Sequence, residues 1–199
     1  MDPINIIILL NIIGTFGANV SGAKRGLKSA VAEIREKPKT FLQKFPPVVS
    51  MLSLVALILA VFHIGTLEYL PARPLGGEEF STIRYIGLAV YLVFSWMQVW
   101  SFKTLGDNYS QEVIIKKNHE LVTKGPFRFI RHPQYFCQIL LDIGATAATL
   151  SYIVGGLALI EIPIYIMRAS LEDKLLAKHF AEKFSEYKKK SGFMFPFIG

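Results

Sequence analysis

Residues 136–167, FCQILLDIGATAATLSYIVGGLALIEIPIYIM, form an apolar run of 32 residues opening at Phe136 and closing at Met167. Its length decides how the chain is arranged. About 20 residues of helix cross a hydrocarbon core of roughly 30 Å, so the run is too long for one crossing and suits two short ones. A division near Ser151 and Tyr152 predicts a tight helical hairpin. Its first arm reaches back to Pro133, which tolerates the first turn of a helix because its missing N–H has no intrahelical partner there. Its second arm runs on past Arg168. Upstream, residues 3–20, 48–67 (entered through Pro46 and Pro47) and 83–102 read as three further spans. The chain is 52% hydrophobic and 19% charged, poorer in charge than the roughly 25% of soluble domains. The predicted fold is all-α: a single integral membrane domain over residues 1–199, built as a bundle of five transmembrane helices with the last two as a hairpin. Residues 1–102 hold three spans and a basic loop, and residues 103–199 hold the polar motifs.

The basic residues orient this bundle. Of the 22 lysines and arginines, seven lie in 21–46, six in 103–132 and seven from Arg168 onward, leaving Arg73 and Arg84. Five spans put the three rich segments on one side, which predicts an outside N-terminus and a cytoplasmic C-terminus. Four spans would split them. The net charge of +7 then faces anionic lipid rather than nucleic acid. No basic residue precedes the first apolar segment, so it reads as an uncleaved span. Cys137, the single cysteine, excludes an intrachain disulfide and reads as a small buried hydrophobe.

Two cytoplasmic segments have helical periodicity. Leu27, Ala30, Val31 and Ile34 predict a surface helix stopped by Pro38. Leu171, Leu175, Leu176, Phe180, Phe184 and Tyr187 predict a C-terminal amphipathic helix, with Lys188, Lys189 and Lys190 complementing its dipole and Gly192 as its stop. Residues 73–79 read as a polar outer turn.

Several chemistries have no motif here. There is no dinucleotide-binding glycine fingerprint, Walker loop or Gly-x-Ser-x-Gly elbow. His63, His119, His132 and His179 lack the spacing of a helical metal pair, so no metal is expected. Polar groups instead gather at one membrane face: His119, Arg128, Arg131, His132 and Tyr135 before the hairpin, and Arg168, Glu172 and Asp173 after it. Arg168 and Glu172 are four apart and share a helical face, where an ion pair at the membrane edge, with Arg168 snorkelling, and a part in the chemistry are both open. Asp142 and Glu161 lie within spans and are expected to face the bundle interior or a wet cavity, or to close a helix contact. Gln98 and Asn19 read as interhelical hydrogen-bonding groups, and Tyr85, Trp96 and Trp100 as packing or interfacial aromatics.

Taken together, His119-x-Leu121-Val122, Gly125, Arg131-His132-Pro133-x-Tyr135, Arg168, Glu172-Asp173, Leu176, Phe180, Tyr187 and Pro196 carry a resemblance. The last 80 or so residues resemble the isoprenylcysteine carboxyl methyltransferase family, membrane enzymes related to phospholipid N-methyltransferases. The chain departs from the family pattern at Cys137 and Ala181 (usually Gly), Asp173 (usually a second Glu) and Phe184 (usually Tyr). The resemblance implies S-adenosylmethionine as cofactor, bound by His119, Glu120, Leu121, Val122, Phe127, Arg131, His132, Gln134, Tyr135 and Glu172, with Glu172 accepting its ammonium. It implies that Arg168 is the catalytic and substrate-binding residue, meeting the carboxylate of a lipophilic, prenylated cysteine whose tail stays in membrane lipid. It also makes residues 103–199 the catalytic half, at the cytoplasmic face.

That chemistry suits the residues. A carboxylate, with a pKa of roughly 4, is already ionised and needs no general base, so catalysis is mostly alignment of donor and acceptor. Three other readings compete. A phospholipid amine N-methyltransferase must deprotonate an ammonium, and Arg168 would repel that head group. Membrane sterol reductases share a similar Arg-His-Pro-x-Tyr ending and use NADPH, but are longer and have more spans. A non-catalytic adaptor using its basic face on anionic lipid leaves the clustering of His132, Tyr135, Arg168 and Glu172 unexplained.

Overall fold

The computed structural model describes residues 2–30, 33–67, 80–196 and 198, with backbone alone over 21–30. Five long helices dominate: α1 (Pro3–Ala30), α2 (Phe45–Val61), α3 (Ser81–Leu105), α4 (Pro133–Thr149) and α5 (Tyr152–Lys190). The hairpin divides where the sequence places it. Leu150 takes a left-handed conformation (φ 53°), and the Ser151 hydroxyl accepts the Val154 N–H at 3.3 Å to cap α5. Pro133 occupies the first turn of α4.

Among the described residues, three helices are long and apolar enough to cross a membrane: Pro3–Val20, Ser81–Asn108 and Tyr152–Lys190. α2 is apolar but has 17 residues, short of the roughly 20 a full crossing takes; α4 has the same length. Around the outside, Leu10, Phe16, Met51, Ile86 and Leu159 are exposed. Such an apolar rind needs lipid to cover it, and this is an integral membrane protein.

Inside, one apolar cluster draws on every helix: Ile4 and Ile8, Ala56 and Val61, Leu88 and Tyr91, Leu141 and Ala145, and Val154. The tightest junction is α3 against α4. A Cβ on Gly87 would lie 2.5 Å from the Ala148 backbone nitrogen, and one on Gly144 would lie 2.6 Å from that of Tyr91. With backbones this close, dispersion and packing hold two helices together where lipid offers no hydrophobic advantage. Polar groups add directional contacts. Asn11 donates to Ser95 Oγ (3.0 Å) and accepts from Trp96 Nε1 (2.9 Å), while Gln98 donates to Gln138 Oε1 (2.7 Å). Asp142 and Glu161 are both buried: Gln138 donates to Asp142 Oδ2 at 2.8 Å, and Ser53 of α2 donates to Glu161 Oε1 at 3.4 Å.

Two expectations need correction. Among the described residues the first loop holds no separate helix ending at Pro38: α1 continues to Ala30, and Ile34 lies in a strand, β1 (Ile34–Glu36), paired antiparallel with β2 (Ile115–Lys116). Val31, and the turn at 73–79, lie outside the described residues. The β pair forms because the loop after α3 folds back over the first loop, a long-range match that helical spacing cannot reveal. The C-terminal amphipathic stretch is likewise no separate element. It continues α5 through a break at Ala181 (φ 39°, ψ −109°). Its apolar face covers protein rather than lipid: Leu171, Leu175, Leu176 and Phe180 pack on Val113 and Ile115.

Two substitutions test this packing. Gly87→Ala should lower stability by about 1–3 kcal/mol, because the added methyl overlaps α4 backbone. Ala181→Gly should raise it by about 1 kcal/mol by relieving a positive-φ alanine. Thermal unfolding in detergent reads both; an unchanged Tm for Gly87→Ala contradicts the close approach.

Candidate functional site

Where α4 begins and α5 leaves the bundle, the loop of residues 106–132 and the ends of α2 and α3 enclose a cavity of about 350 Å³. His119, Glu120, Leu121, Val122, Phe127, Arg131, His132, Gln134, Tyr135, Arg168 and Glu172 all line it. Residues far apart in sequence meet here because the loop is tied down on both sides. The Gln43 side chain pairs with the Val113 backbone like a strand neighbour, accepting its N–H at 2.8 Å and donating to its carbonyl at 2.9 Å. Lys116 is buried and donates to the carbonyls of Asp107 and Tyr109, curling the start of the loop. On the far side, the tail runs beside the Arg131-His132 segment: Arg131 N–H donates to the Gly192 carbonyl (2.8 Å) and His132 N–H to that of Phe193 (3.3 Å).

The polar side chains form one continuous chain of contacts. Arg131 Nε donates to Asp173 Oδ2 (3.1 Å), and Asp173 Oδ1 meets His132 Nε2 (2.8 Å). His132 Nδ1 lies 3.3 Å from Glu172 Oε2. Tyr135 Oη donates to Glu172 Oε1 and accepts from Arg168 Nε at 2.8 Å. The His132 and Tyr135 rings stack at 5.9 Å, and Tyr135 stacks on Tyr165 at 5.0 Å. Arg131, His132, Tyr135 and Arg168 are all buried.

Of the two readings open for Arg168 and Glu172, the ion pair does not form. The guanidinium turns instead to Tyr135, and its two other nitrogens donate to the carbonyls of Leu42 (3.1 Å) and Gln111. A buried guanidinium with several donors is better satisfied by three fixed acceptors than by one carboxylate that Tyr135 already engages. Glu172 thus keeps capacity to accept further hydrogen bonds.

Reading the sequence missed some of the lining. Ser50, Tyr109 and Tyr165 also face the cavity, and Asp173 connects Arg131 to His132. A usable signal was present: Glu161, Tyr165, Arg168 and Glu172 recur at helical spacing, as do Gln134, Gln138 and Asp142, so each set marks one polar stripe in an apolar helix. Gln43 gave no such signal.

The two cavity histidines differ in charge. Burial pushes His119 down to about 4, with the Lys116 charge adding to the effect and Glu172 opposing it. His119 is therefore neutral at pH 7. Burial also disfavours a charge on His132, but the hydrogen bond it makes to Asp173 and the nearby Glu172 and Asp173 charges outweigh it and raise its value.

Comparison with known proteins places this architecture. The sequence matches the isoprenylcysteine carboxyl methyltransferase (ICMT) family over residues 86–178, which hold α3, the cavity loop, α4 and most of α5. Over that stretch, a little under half of its length, the chain is similar to the ICMT family. It is 40% identical over 82 residues to the cobalt-zinc-cadmium resistance protein CzcN of Cupriavidus metallidurans, covering 41% of this chain and 38% of that protein. It is 28% identical over 124 residues to the protein-S-isoprenylcysteine O-methyltransferase of Xenopus laevis (61% of this chain, 43% of that one). The corresponding figure for the Tribolium castaneum enzyme of the same name is 25% over 126 residues (62% and 45%). The aligned part thus spans less than half the length of each of these relatives.

The family implies S-adenosylmethionine as methyl donor, and the cavity's own chemistry fits it. Among the described residues, His119 Nδ1, His132 Nδ1 and Gln134 Oε1 are buried without a hydrogen-bond partner, and all three residues line this cavity. Buried polar atoms are rarely left unpaired unless a ligand completes them. A carboxylate for an ammonium and aromatic faces for a sulfonium are also present.

Both histidines imprint on stability. His119 binds its proton more tightly unfolded than folded, so stability should fall as pH drops from 6.5 towards about 4. His132 is the reverse: its contribution is complete below its ordinary 6.5 and is lost as pH rises through its raised folded value. His119→Gln should flatten the acid limb of a Tm-against-pH profile and leave the alkaline limb in place. An acid limb that persists unaltered contradicts the assignment.

Proposed function

We propose that this protein is a membrane S-adenosylmethionine-dependent methyltransferase that esterifies the carboxylate of a lipophilic acid, with a prenylated cysteine as the acceptor class. One observation carries the reading. Arg168 and Glu172 flank the Tyr135 hydroxyl, so an anion-binding and a cation-binding group sit two hydrogen bonds apart on adjacent turns of α5. A reaction that joins a cationic donor to an anionic acceptor calls for that pairing.

When bound, S-adenosylmethionine supplies an activated methyl group on a sulfonium sulfur. Glu172 accepts the ammonium of its methionine part. His119 and Gln134 offer unpaired polar atoms for its remaining hydrogen bonds, and Leu121, Val122 and Phe127 form an apolar wall. Arg168 spends three of its five donors on Tyr135, Leu42 and Gln111. The remaining N–H groups can orient an acceptor carboxylate without fully neutralising it. No general base is needed, and water exclusion by the loop and the α5 face favours transfer. The lipid tail stays in the bilayer, with the N-terminus outside and the site at the cytoplasmic face. Among the described residues no group of three or more His, Cys, Asp or Glu side chains converges as a metal site. The metal resistance named for CzcN is therefore not carried over.

Glu172→Ala should weaken S-adenosylmethionine binding at least tenfold by calorimetry. Arg168→Lys keeps a charge but loses the planar fork. It should leave cofactor affinity within about threefold and cut kcat/KM for a prenylcysteine by two orders of magnitude or more, on the order of 3 kcal/mol of transition-state stabilisation. Unimpaired turnover by Arg168→Lys removes Arg168 from the acceptor site.

A further inference from the structure

We propose that Asp173 is a positioning residue that acts through His132 to keep Glu172 available to the cofactor; this rests on the methyltransferase reading. Glu172 and Asp173 are consecutive on α5, so their side chains diverge by about a quarter turn. His132 sits in the angle between them, with Nε2 2.8 Å from Asp173 Oδ1 and Nδ1 3.3 Å from Glu172 Oε2.

Each edge of the imidazole therefore faces a carboxylate, and only the Asp173 edge makes a well-directed hydrogen bond. Ring rotation about the terminal torsion is soft, so a second anchor must fix which nitrogen faces the cavity. Asp173 supplies it from an immobile post. Its other oxygen holds Arg131 Nε at 3.1 Å, and Arg131 Nη1 is tied to the Ser191 carbonyl at 2.6 Å. The other neighbours of the ring are Tyr135, stacked from α4, and Phe193, edge-on from the tail at 5.3 Å. Phe193 carries no charge, and the Tyr135 hydroxyl is engaged by Glu172 and Arg168.

The charges explain the effect on Glu172. Two carboxylates share one imidazolium. Remove the Asp173 charge, and His132 pairs with Glu172 alone, competing directly with a ligand ammonium. Asp173 holds the imidazolium back by taking the stronger hydrogen bond. The buried ion cluster of Arg131, His132, Glu172 and Asp173 is also balanced, two cations against two anions, which limits the cost of burial.

The experiment uses the full chain in detergent. Calorimetry with S-adenosylmethionine should show Asp173→Asn weakening binding at least tenfold and Asp173→Glu, which restores the charge, within about threefold of the parent. In a His132→Asn background, Asp173→Asn should change affinity less than twofold. Equal losses in both backgrounds would mean that Asp173 only supports the fold, and would overturn the proposal. The second readout needs no cofactor: ring ¹⁵N shifts of His132 should report an imidazolium at pH 7 in the parent and in Asp173→Asn, with the stronger hydrogen bond moved from Nε2 to Nδ1 in the variant. A neutral ring in the parent overturns the proposal even if the Asn variant fails to fold. Absent S-adenosylmethionine binding in a parent whose His132 is charged would sink the methyltransferase reading and leave the Asp173–His132 coupling standing.

Discussion

Charged and polar side chains buried at a membrane edge must satisfy one another, and that requirement governs this structure. Arg131, Asp173, His132, Glu172, Tyr135 and Arg168 do so in a single chain of contacts. A buried charge stripped of its partner costs several kcal/mol, so the chain fixes where the loop after α3, the start of α4 and the middle of α5 lie relative to one another. The cavity follows from that arrangement: its walls are the backbones these groups hold. The same side chains that secure the fold thus define the site.

The rest of the bundle supports this junction. Gly87 and Gly144 let α3 and α4 touch backbone to backbone, which sets the start of α4, and with it His132 and Tyr135, at a fixed height. The apolar face of the α5 extension then closes over Val113 and Ile115. Arg168 draws the first loop and the cavity loop together through the Leu42 and Gln111 carbonyls. An arginine used in this way organises the wall and still presents donors inward, so its structural and chemical roles need not compete.

Much of this was legible in the residues. Hydropathy located the helices, and the turn at Leu150 and Ser151 lies where the 32-residue run had to divide. The polar motif residues, which flank the apolar run on both sides, converge on one cavity. What escaped depended on contacts between distant segments. Gln43 against Val113 and β1 against β2 have no local periodicity. Helical spacing brings Arg168 and Glu172 to one face and left an ion pair between them open, yet spacing knows nothing of the carbonyls that a separate loop delivers. The break at Ala181 was equally hidden, since alanine favours the helix that the backbone interrupts there.

The central proposal is that a cationic methyl donor and an anionic acceptor meet side by side in this cavity. The most direct measurement is methyl transfer by the purified full chain in detergent, with radiolabelled S-adenosylmethionine and, side by side, a prenylcysteine and phosphatidylethanolamine. The account predicts that label enters the prenylcysteine as a base-labile methyl ester. Label appearing as a base-stable methyl on the amine, with none on the prenylcysteine, would contradict it.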